Sequence, residues 1–593
     1  MAPDDDFAGS SIGEYMGARR EAATSVDTVA ANASSFPRSS MVDDTSTVPT
    51  TQRTRSFVKY RPVVALAAGA VLVRLVTLGF AVRDPLFTTA RFDELAFLER
   101  AGLSAESVRG ALPVSPAYVA FVAVVGRLHQ HPMLAIALAN AALGVSTVVA
   151  TFLLARRWAR TSAALVACTV LALNGPMLYA ETRPSCDVLV AAALAWAAWG
   201  WTRWAEQPTL RRALVGACAL AVAIAARATA IAALPFVVVI AYRRTRSLTA
   251  PALACAAATM LAAPSWVYNA RHGDPTPFVS VGAVNAWIGN GPGATGTWRR
   301  PENFRPGPRT DDLVDEMIRV ESASVGRELS AGEARSALWV ATARHASRHP
   351  GATVRLLFDK VRRGLEHVEL GDNRDWYFER RLHPLLGSRL VTSTAWLIVP
   401  GVLGLGRLRR SRRAWPMLVC CVIPPLATMV GFYVLGRYRF ALLPALAVGA
   451  AALVELSIRA RATRGHLAPL AAAVVALGVV VFRPDVPAEA APPRLMRAVE
   501  LHRLGRTDDA LASYAEALEL ARARHDRESR IVALTNRALA RLDTGRTIEA
   551  LEDYRELDSL LAEEHREHDR AALRRFLEDK GFSPSFGTSF ERP

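Results

Sequence analysis

The sequence predicts an all-α polytopic membrane protein with an extracytoplasmic loop domain and a C-terminal α-helical repeat domain. Three observations predict it. Hydrophobic residues make up 51% of the 593 positions, yet mean hydropathy is only +0.18, so very apolar stretches must be diluted by long polar ones. Those apolar stretches are separated by short, arginine-rich turns of the kind that fix orientation in a membrane. Beyond the last of them, Gly505-Arg506-Thr507-Asp508-Asp509-Ala510-Leu511 recurs as Gly545-Arg546-Thr547-Ile548-Glu549-Ala550-Leu551, an offset of 40 residues.

Residues 1–55 are rich in Ser, Thr, Asp and Ala and lack apolar periodicity; they are expected to be a disordered cytoplasmic segment, or upstream sequence outside the mature protein. Arg53, Arg55, Lys59 and Arg61 then precede an apolar run over 62–82. This run is too long and too far from the terminus for a cleaved signal peptide, and should stay as a signal anchor with the N-terminus in the cytoplasm. Further spans are predicted at 132–155, 162–180, 185–202, 213–226, 228–242, 249–270, 388–406, 414–435, 438–458 and 467–482, giving eleven within a transmembrane core of 56–484. The basic turns at 156–160, 211–212, 243–246, 407–413 and 459–464 then share the cytoplasmic side of the cell membrane. The segment 83–131, the large loop 271–387 and the C-terminal repeats fall on the outer side. Two adjustments are required. The apolar stretch 116–127 must lie along the outer surface, and 213–242 must be a hairpin of two short helices turning near Arg227. Helices of about 14 residues rise only about 21 Å against a hydrocarbon core of about 30 Å, so the hairpin implies local thinning or a cavity. A single long helix there would invert everything downstream.

The net charge of +17 is almost wholly arginine, since Lys59, Lys360 and Lys580 are the only lysines. The arginines are spread through many loops, which argues for topology and against a nucleic-acid partner. The six cysteines fall in or beside apolar runs without metal spacing and read as small core residues. His129 and His131, flanking Gln130, read as interfacial residues, so no metal ligands are assigned. In the tail, 485–580 resembles two tetratricopeptide repeats. The usual period of about 34 residues is lengthened here by a longer turn at 524–530; helix 565–579 is a polar cap, and 581–593 is a short end. Such grooves bind proteins or peptides, so a protein partner at the repeats is expected.

Chemistry points to the outer face. Asp93-Glu94 lies about ten residues beyond the first span. A carboxylate near the interface can stay ionised while partly screened from water, which suits a general base acting on a lipid-linked substrate. Taken alone, the pair is better explained as an acidic helix start or a lipid-headgroup spacer; the other segments reverse that preference. The segments Pro264-Ser265-Trp266-Val267-Tyr268-Asn269 and 285–296 offer turn-forming residues, amides and a tryptophan face of the kind that holds sugars, though glycine, proline and asparagine are also ordinary loop chemistry.

Taken in order, Phe92-Asp93-Glu94, Ser115-Pro116-Ala117-Tyr118, the Pro264 and Asn285 segments, Asn373-Arg374-Asp375-Trp376-Tyr377-Phe378 and Gly436-Arg437-Tyr438-Arg439-Phe440 resemble the C-type membrane glycosyltransferases, over roughly residues 60 to 460. The nearest branch is that of the protein mannosyltransferases and lipid A aminoarabinose transferases. The chain departs from the family at Tyr268-Asn269, where Arg-Asn is frequent, and at Arg227-Ala228, where an Arg-Pro turn is usual. The family's acid at the start of the fourth span corresponds to Asp187 or Glu181. The resemblance implies transfer of a sugar from a polyprenyl-phosphate-linked donor to a protein, lipid or glycan acceptor, on the outer face of the membrane and among its lipids. Asp93 would be the base and Glu94 an orienting acid. Arg227, Arg437 and Arg439 would receive the departing phosphate. Substrate contacts would come from Glu181, Asp187, Asn269, Arg271, Asn285, Trp287, Asn290, Asn373, Tyr377 and Tyr438. No cofactor is implied with certainty and a divalent metal stays open. A transporter or flippase of lipid-linked sugars, or an inactive membrane scaffold presenting the repeats, would be the other classes consistent with the chain.

Overall fold

The computed structural model describes residues 50–104, 110–301, 303–305, 309–371, 374–463 and 491–580, with short pieces at 474–475 and 478. Among these the chain is helical, with two isolated bridges, Asn174 to Thr392 and Thr297 to Val434. It forms two compact units, Tyr60–Ala488 and a second comprising Met1–Lys59 with Glu489–Pro593.

Tyr60–Ala488 is a multi-pass membrane unit. Among the described residues, five helices are long and apolar enough to cross a bilayer: Tyr60–Ala81, Pro132–Ala155, Ala228–Thr245, Thr249–Arg271 and Arg412–Gly431. Thr161–Ala172 and Ala395–Leu408 are apolar but shorter. The expected span 162–180 is therefore not one helix. The Asn174 side chain caps a new helix, Gly175–Glu181, by accepting from Met177 N at 3.1 Å, and Gly175 N donates to Thr392 O at 2.8 Å. The expected eleventh span, 467–482, lies almost wholly outside the described residues, as do the segments 1–49 and 581–593.

Basic turns gather at one end of this unit. Arg157 pairs with Glu206, Arg160 N donates to Glu455 at 3.0 Å, and Arg244 Nε donates to Ala205 O at 2.8 Å. The last contact shows that the chain from Leu210 runs out and returns to the end where it started. It turns at Arg227, whose extended backbone (φ −151, ψ 109) separates Leu210–Ala226 from Ala228–Ala233 and Leu234–Thr245. The core between the helices is built largely of alanine. Small residues let backbones approach closely, as bilayer packing favours: a Cβ at Gly200 would meet Gly216 N at 2.6 Å, and one at Gly404 would collide with Gly449 O. Four cysteines are buried in the unit, but Cys218 and Cys255 are exposed and so are not the core residues expected.

Short helices cover the opposite end. Pro116–Val125 has only ten residues and buries Tyr118 and Val122. Half of the expected turn-rich stretch is a helix, Gly282–Asn290, because Ala283, Val284 and Ile288 pack into a cluster with Tyr433, Val434 and Leu435.

In the second unit, helices Ala491–Arg503, Thr507–Ala523, Arg527–Asp543, Thr547–Glu563 and Glu567–Asp579 alternate with three-residue turns. The turns place Gly505, His525, Gly545 and His565 at φ between 54 and 75, so the 40-residue identity is two helix-turn units of 20. The lengthened turn expected at 524–530 is absent: Arg527 already starts a helix, and the extra residues lie in helices of 17. Tyr514 and Tyr554 are buried at corresponding positions, and Asp553 is held by Arg537 and Arg541 at 2.5 and 2.7 Å. Because each unit has its own core, deletion after residue 484 is expected to leave the membrane unit folded while altering partner or acceptor choice. Size-exclusion chromatography and thermal unfolding in detergent check this; an aggregated truncation would assign the repeats a structural role.

Candidate active site

Two carboxylates begin two helices at the end of the bundle opposite the basic turns. Asp93 opens Asp93–Arg100 and Asp187 lies in the first turn of Cys186–Glu206, where the positive end of each helix dipole favours an anion. Phe92 precedes the first helix at φ 47, ψ −117. This conformation is strained for a side chain with a Cβ, costing about 1–3 kcal/mol. Arg437 joins the two acids: its Nη2 donates to Asp93 Oδ2 at 2.8 Å and its Nε lies 3.5 Å from Asp187 Oδ2. Arg227 closes the set, with Nη2 2.5 Å from Asp187 Oδ1 and its guanidinium 4.4 Å over the Tyr438 ring.

The structure therefore brings together Asp93, Asp187, Arg227, Arg437 and Tyr438, drawn from four separate stretches of sequence. Burial opposes ionisation of Asp93, but Arg437, a hydrogen bond from Thr310 Oγ1 at 2.9 Å and the charge of Arg227 outweigh it and hold the carboxyl below its usual value. Asp93 keeps 23% of its side-chain surface exposed, enough for a ligand to reach it.

Glu94 faces elsewhere. Arg374 binds it bidentately through Nε and Nη2, both at 2.9 Å. Burial would raise its pKa, yet Arg374, Arg183 and Arg91 together lower it. The stability from this pair is thus present above the ordinary carboxylate range and is lost as pH falls through the depressed value. Arg374→Met would leave a buried charge without its bidentate partner, at a cost of about 3–5 kcal/mol. The expected result is a lowered thermal midpoint at pH 7, with the difference from wild type shrinking as Glu94 is protonated; an unchanged midpoint would count against the pair.

Most other residues expected at the site have structural partners away from the acids. Glu181 pairs with Arg74 at 2.8 Å in the bundle interior, so Asp187 and not Glu181 reaches the arginines. Asn269 Oδ1 accepts from Leu112 N at 2.8 Å and its Nδ2 donates to Thr276 O and Phe278 O, stapling the outer loops. Asn285 accepts from Tyr433 Oη at 3.0 Å; Asn290 accepts from Lys360 Nζ at 2.6 Å and donates to Gly431 O. Trp287 packs against the same apolar cluster. Tyr377 Oη accepts from Glu369 N at 3.0 Å. Arg439, only 1% exposed, donates to Glu366 O and Val368 O and pairs with Glu369 at 2.5 Å. Arg271 is exposed at a helix end, and Asn373 lies outside the described residues. The Ser115-Pro116-Ala117-Tyr118 motif positions the site indirectly: Tyr118 Oη contacts Asn140 and accepts from Ser185 N at 2.8 Å, fixing the turn before Asp187.

Sequence reasoning missed Thr310 and Arg374. Arg374 stood inside a quoted motif, and its place between an asparagine and a helix-capping aspartate was the available signal; a lone threonine in a loop offered none. Beside the acids lies a cavity of about 110 Å³ bordered by Glu94, Tyr179, Arg183, Arg374, Glu369 and Arg437.

Among solved structures, the chain is similar to the oligosaccharyltransferase AglB from Archaeoglobus fulgidus, in complex with an inhibitory peptide and a dolichol-phosphate. Identity is 16% and the TM-score 0.39, over 75% of this chain and 58% of that one. It is also similar to ArnT from Cupriavidus metallidurans bound to undecaprenyl phosphate, at 15% identity and a TM-score of 0.30, over 68% and 79% of the two chains. The chain thus spans under two thirds of the length of the archaeal structure. No curated protein matches it. Residues 113–268, the stretch that holds Tyr118, Asp187 and Arg227 but not Asp93 or Arg437, match the sequence profile of the dolichyl-phosphate-mannose-protein mannosyltransferase family.

Proposed function

We propose that the chain is a membrane glycosyltransferase that moves a sugar from a polyprenyl-phosphate-linked donor to a hydroxyl of a protein, lipid or glycan acceptor. The observation that carries this reading is the meeting of Asp93 and Asp187 with Arg437 and Arg227 at one end of an apolar helix bundle. The profile match over 113–268 points to the same donor chemistry.

A hydroxyl is a poor nucleophile and a phosphate monoester leaves with its charge exposed, so the reaction needs a base and a cationic receiver. Without donor, the receivers are occupied by the protein's own carboxylates. A donor phosphate entering the cluster competes for Arg437 and Arg227, and Asp93 is released from its ion pair as it does so. The acceptor oxygen then attacks the anomeric carbon, the bond from that carbon to the phosphate oxygen breaks, and the acceptor proton passes to Asp93. The polyprenyl phosphate departs with its charge on the two guanidiniums, whose planar forks suit phosphate oxygens. The repeats, read as tetratricopeptide-like, would recruit a protein partner.

This reading puts the Asp93 end outside the cytoplasm, because the basic turns share the other end. Reporter fusions at residue 50 and residue 490 are expected to report opposite compartments; the same compartment for both would remove the topology. The activity is tested by incubating the purified protein with a panel of polyprenyl-phosphate sugars and following acceptors by mass spectrometry. A glycosylated product that requires the lipid-linked donor supports the proposal. Movement of lipid-linked sugar across proteoliposomes without any product would identify a transporter instead.

A further inference from the structure

We propose that Asp84, Glu379 and His383 form a binding site for one zinc-class divalent cation, separated from the Asp93 cluster by the Arg374–Glu94 pair. One ligand atom from each of the three residues lies within 4.8 Å of the other two. Glu379 and His383 stand four residues apart at the helix Trp376–Leu382 and its C-cap, so one helix turn presents both to the same side. Asp84 comes from the tight turn after the first membrane helix, where its Oδ1 also accepts from Leu86 N at 2.9 Å. Glu379 and His383 are buried and Asp84 is half-buried.

Two carboxylates and an imidazole brought this close form a donor set for a borderline cation. Calcium and magnesium prefer oxygen alone, whereas zinc accepts histidine nitrogen together with carboxylate oxygen. With bonds of about 2.1 Å, tetrahedral ligands sit about 3.4 Å apart, so the three groups need to close by roughly an ångström. That is within reach of side-chain rotation.

A second observation marks the same place. Tyr179 is nine-tenths buried, and its hydroxyl meets no hydrogen-bond partner among the described residues. Its ring lies 6.2 Å from that of His383, and it is within electrostatic reach of Glu379. A buried phenol without a partner costs free energy, and a cation carrying a water supplies the missing polar neighbour.

The site would have a consequence for the reaction centre. Glu379 lies 3.6 Å from Arg374, which holds Glu94, the residue next to Asp93. A cation linking Asp84 to Glu379 and His383 fastens the end of the first membrane helix to the segment carrying Arg374. It is thereby a positioning element for the helix that begins with Asp93, and takes no part in the chemistry.

The test uses full-length protein in detergent, stripped with EDTA, incubated with Zn²⁺ alone, desalted and analysed for metal by mass spectrometry. Wild type is expected to retain about one zinc per chain, and His383→Ala and Glu379→Gln to lose at least about tenfold in zinc affinity. Asp93→Asn is expected to keep its zinc, which separates this site from any cation at the acidic cluster. Co²⁺ in place of zinc should give visible absorption characteristic of imidazole ligation, lost in His383→Ala. If His383→Ala does not fold, the half-buried Asp84→Asn gives the same readout. Wild type without zinc, or equal zinc in wild type and all ligand variants, overturns the proposal. So does a thermal midpoint that falls in His383→Ala but is indifferent to zinc and EDTA in wild type, since the three groups would then be an ion-pair cluster only.

Discussion

Asp93→Asn is expected to lower transfer by about 10²- to 10⁴-fold, the range a general base contributes, while leaving donor binding intact. The amide has nearly the carboxylate's size and can still accept the Thr310 hydroxyl, now at 2.9 Å. It cannot take the acceptor proton. Because Asp93 also neutralises Arg437 in the donor-free protein at 2.8 Å, removing its charge leaves that guanidinium more available to a phosphate, so donor affinity should hold or rise. A loss confined to kcat, with donor binding by equilibrium dialysis at or above wild type, is the signature of a missing base. Near wild-type turnover in a correctly inserted protein would assign the base elsewhere, with Asp187 the next carboxylate by geometry. A parallel fall in donor affinity would instead show that Asp93 acts by arranging the cluster.

The fold was legible where local signals carry it. Apolar length and arginine placement read out a multi-pass helical unit, and the break at Arg227 could be inferred from a run too long for one crossing and interrupted by a charge. The same signals overestimated continuity. Asn174 looks like any polar residue within an apolar run, and only its cap on Met177 and the bridge from its neighbour Gly175 to Thr392 end that helix. In the tail, the glycines at 505 and 545 advertised a 40-residue period and hid the 20-residue one, because His525 and His565 take the same left-handed conformation without glycine's signature.

The site was legible in its residue types and not in its pairing. Asp93 and Arg437 are 344 positions apart and Asp187 and Arg227 are 40 apart; no periodicity connects them. The choice between Glu181 and Asp187 stayed open in the sequence because only five residues lie between them; both are buried, and it is the partner that distinguishes them: Arg74, rising from the first membrane helix, occupies Glu181, whereas Asp187 meets Arg227. Asparagines 269, 285 and 290 looked like sugar ligands because an amide has the same donors and acceptors whether it faces a sugar or a carbonyl. Which one it faces is a tertiary fact.

Arg437→Ala should differ from Asp93→Asn in a way that pH reveals. It removes the cation that spans both acids, so donor affinity and turnover should both fall, with kcat/KM reduced on the order of 10²- to 10³-fold, as when a preorganised charge at a developing anion is lost. It also changes the base itself. Burial pushes the Asp93 carboxyl up, and Arg437 opposes this through both its charge and its hydrogen bond, leaving Thr310 and Arg227 as smaller counterweights. In the wild type the depressed pKa keeps Asp93 ionised through neutral pH, and the acid limb of kcat/KM should lie below the ordinary carboxylate range. In Arg437→Ala that limb should move to higher pH, because burial then meets weaker opposition. Arg437→Lys should restore part of the limb's position, since the charge returns, but less of the donor affinity, since the fork does not. A kcat/KM loss with an unmoved acid limb would mean that Asp93 is not the group titrating, and an unmoved donor affinity would take the phosphate away from Arg437 and leave it to Arg227.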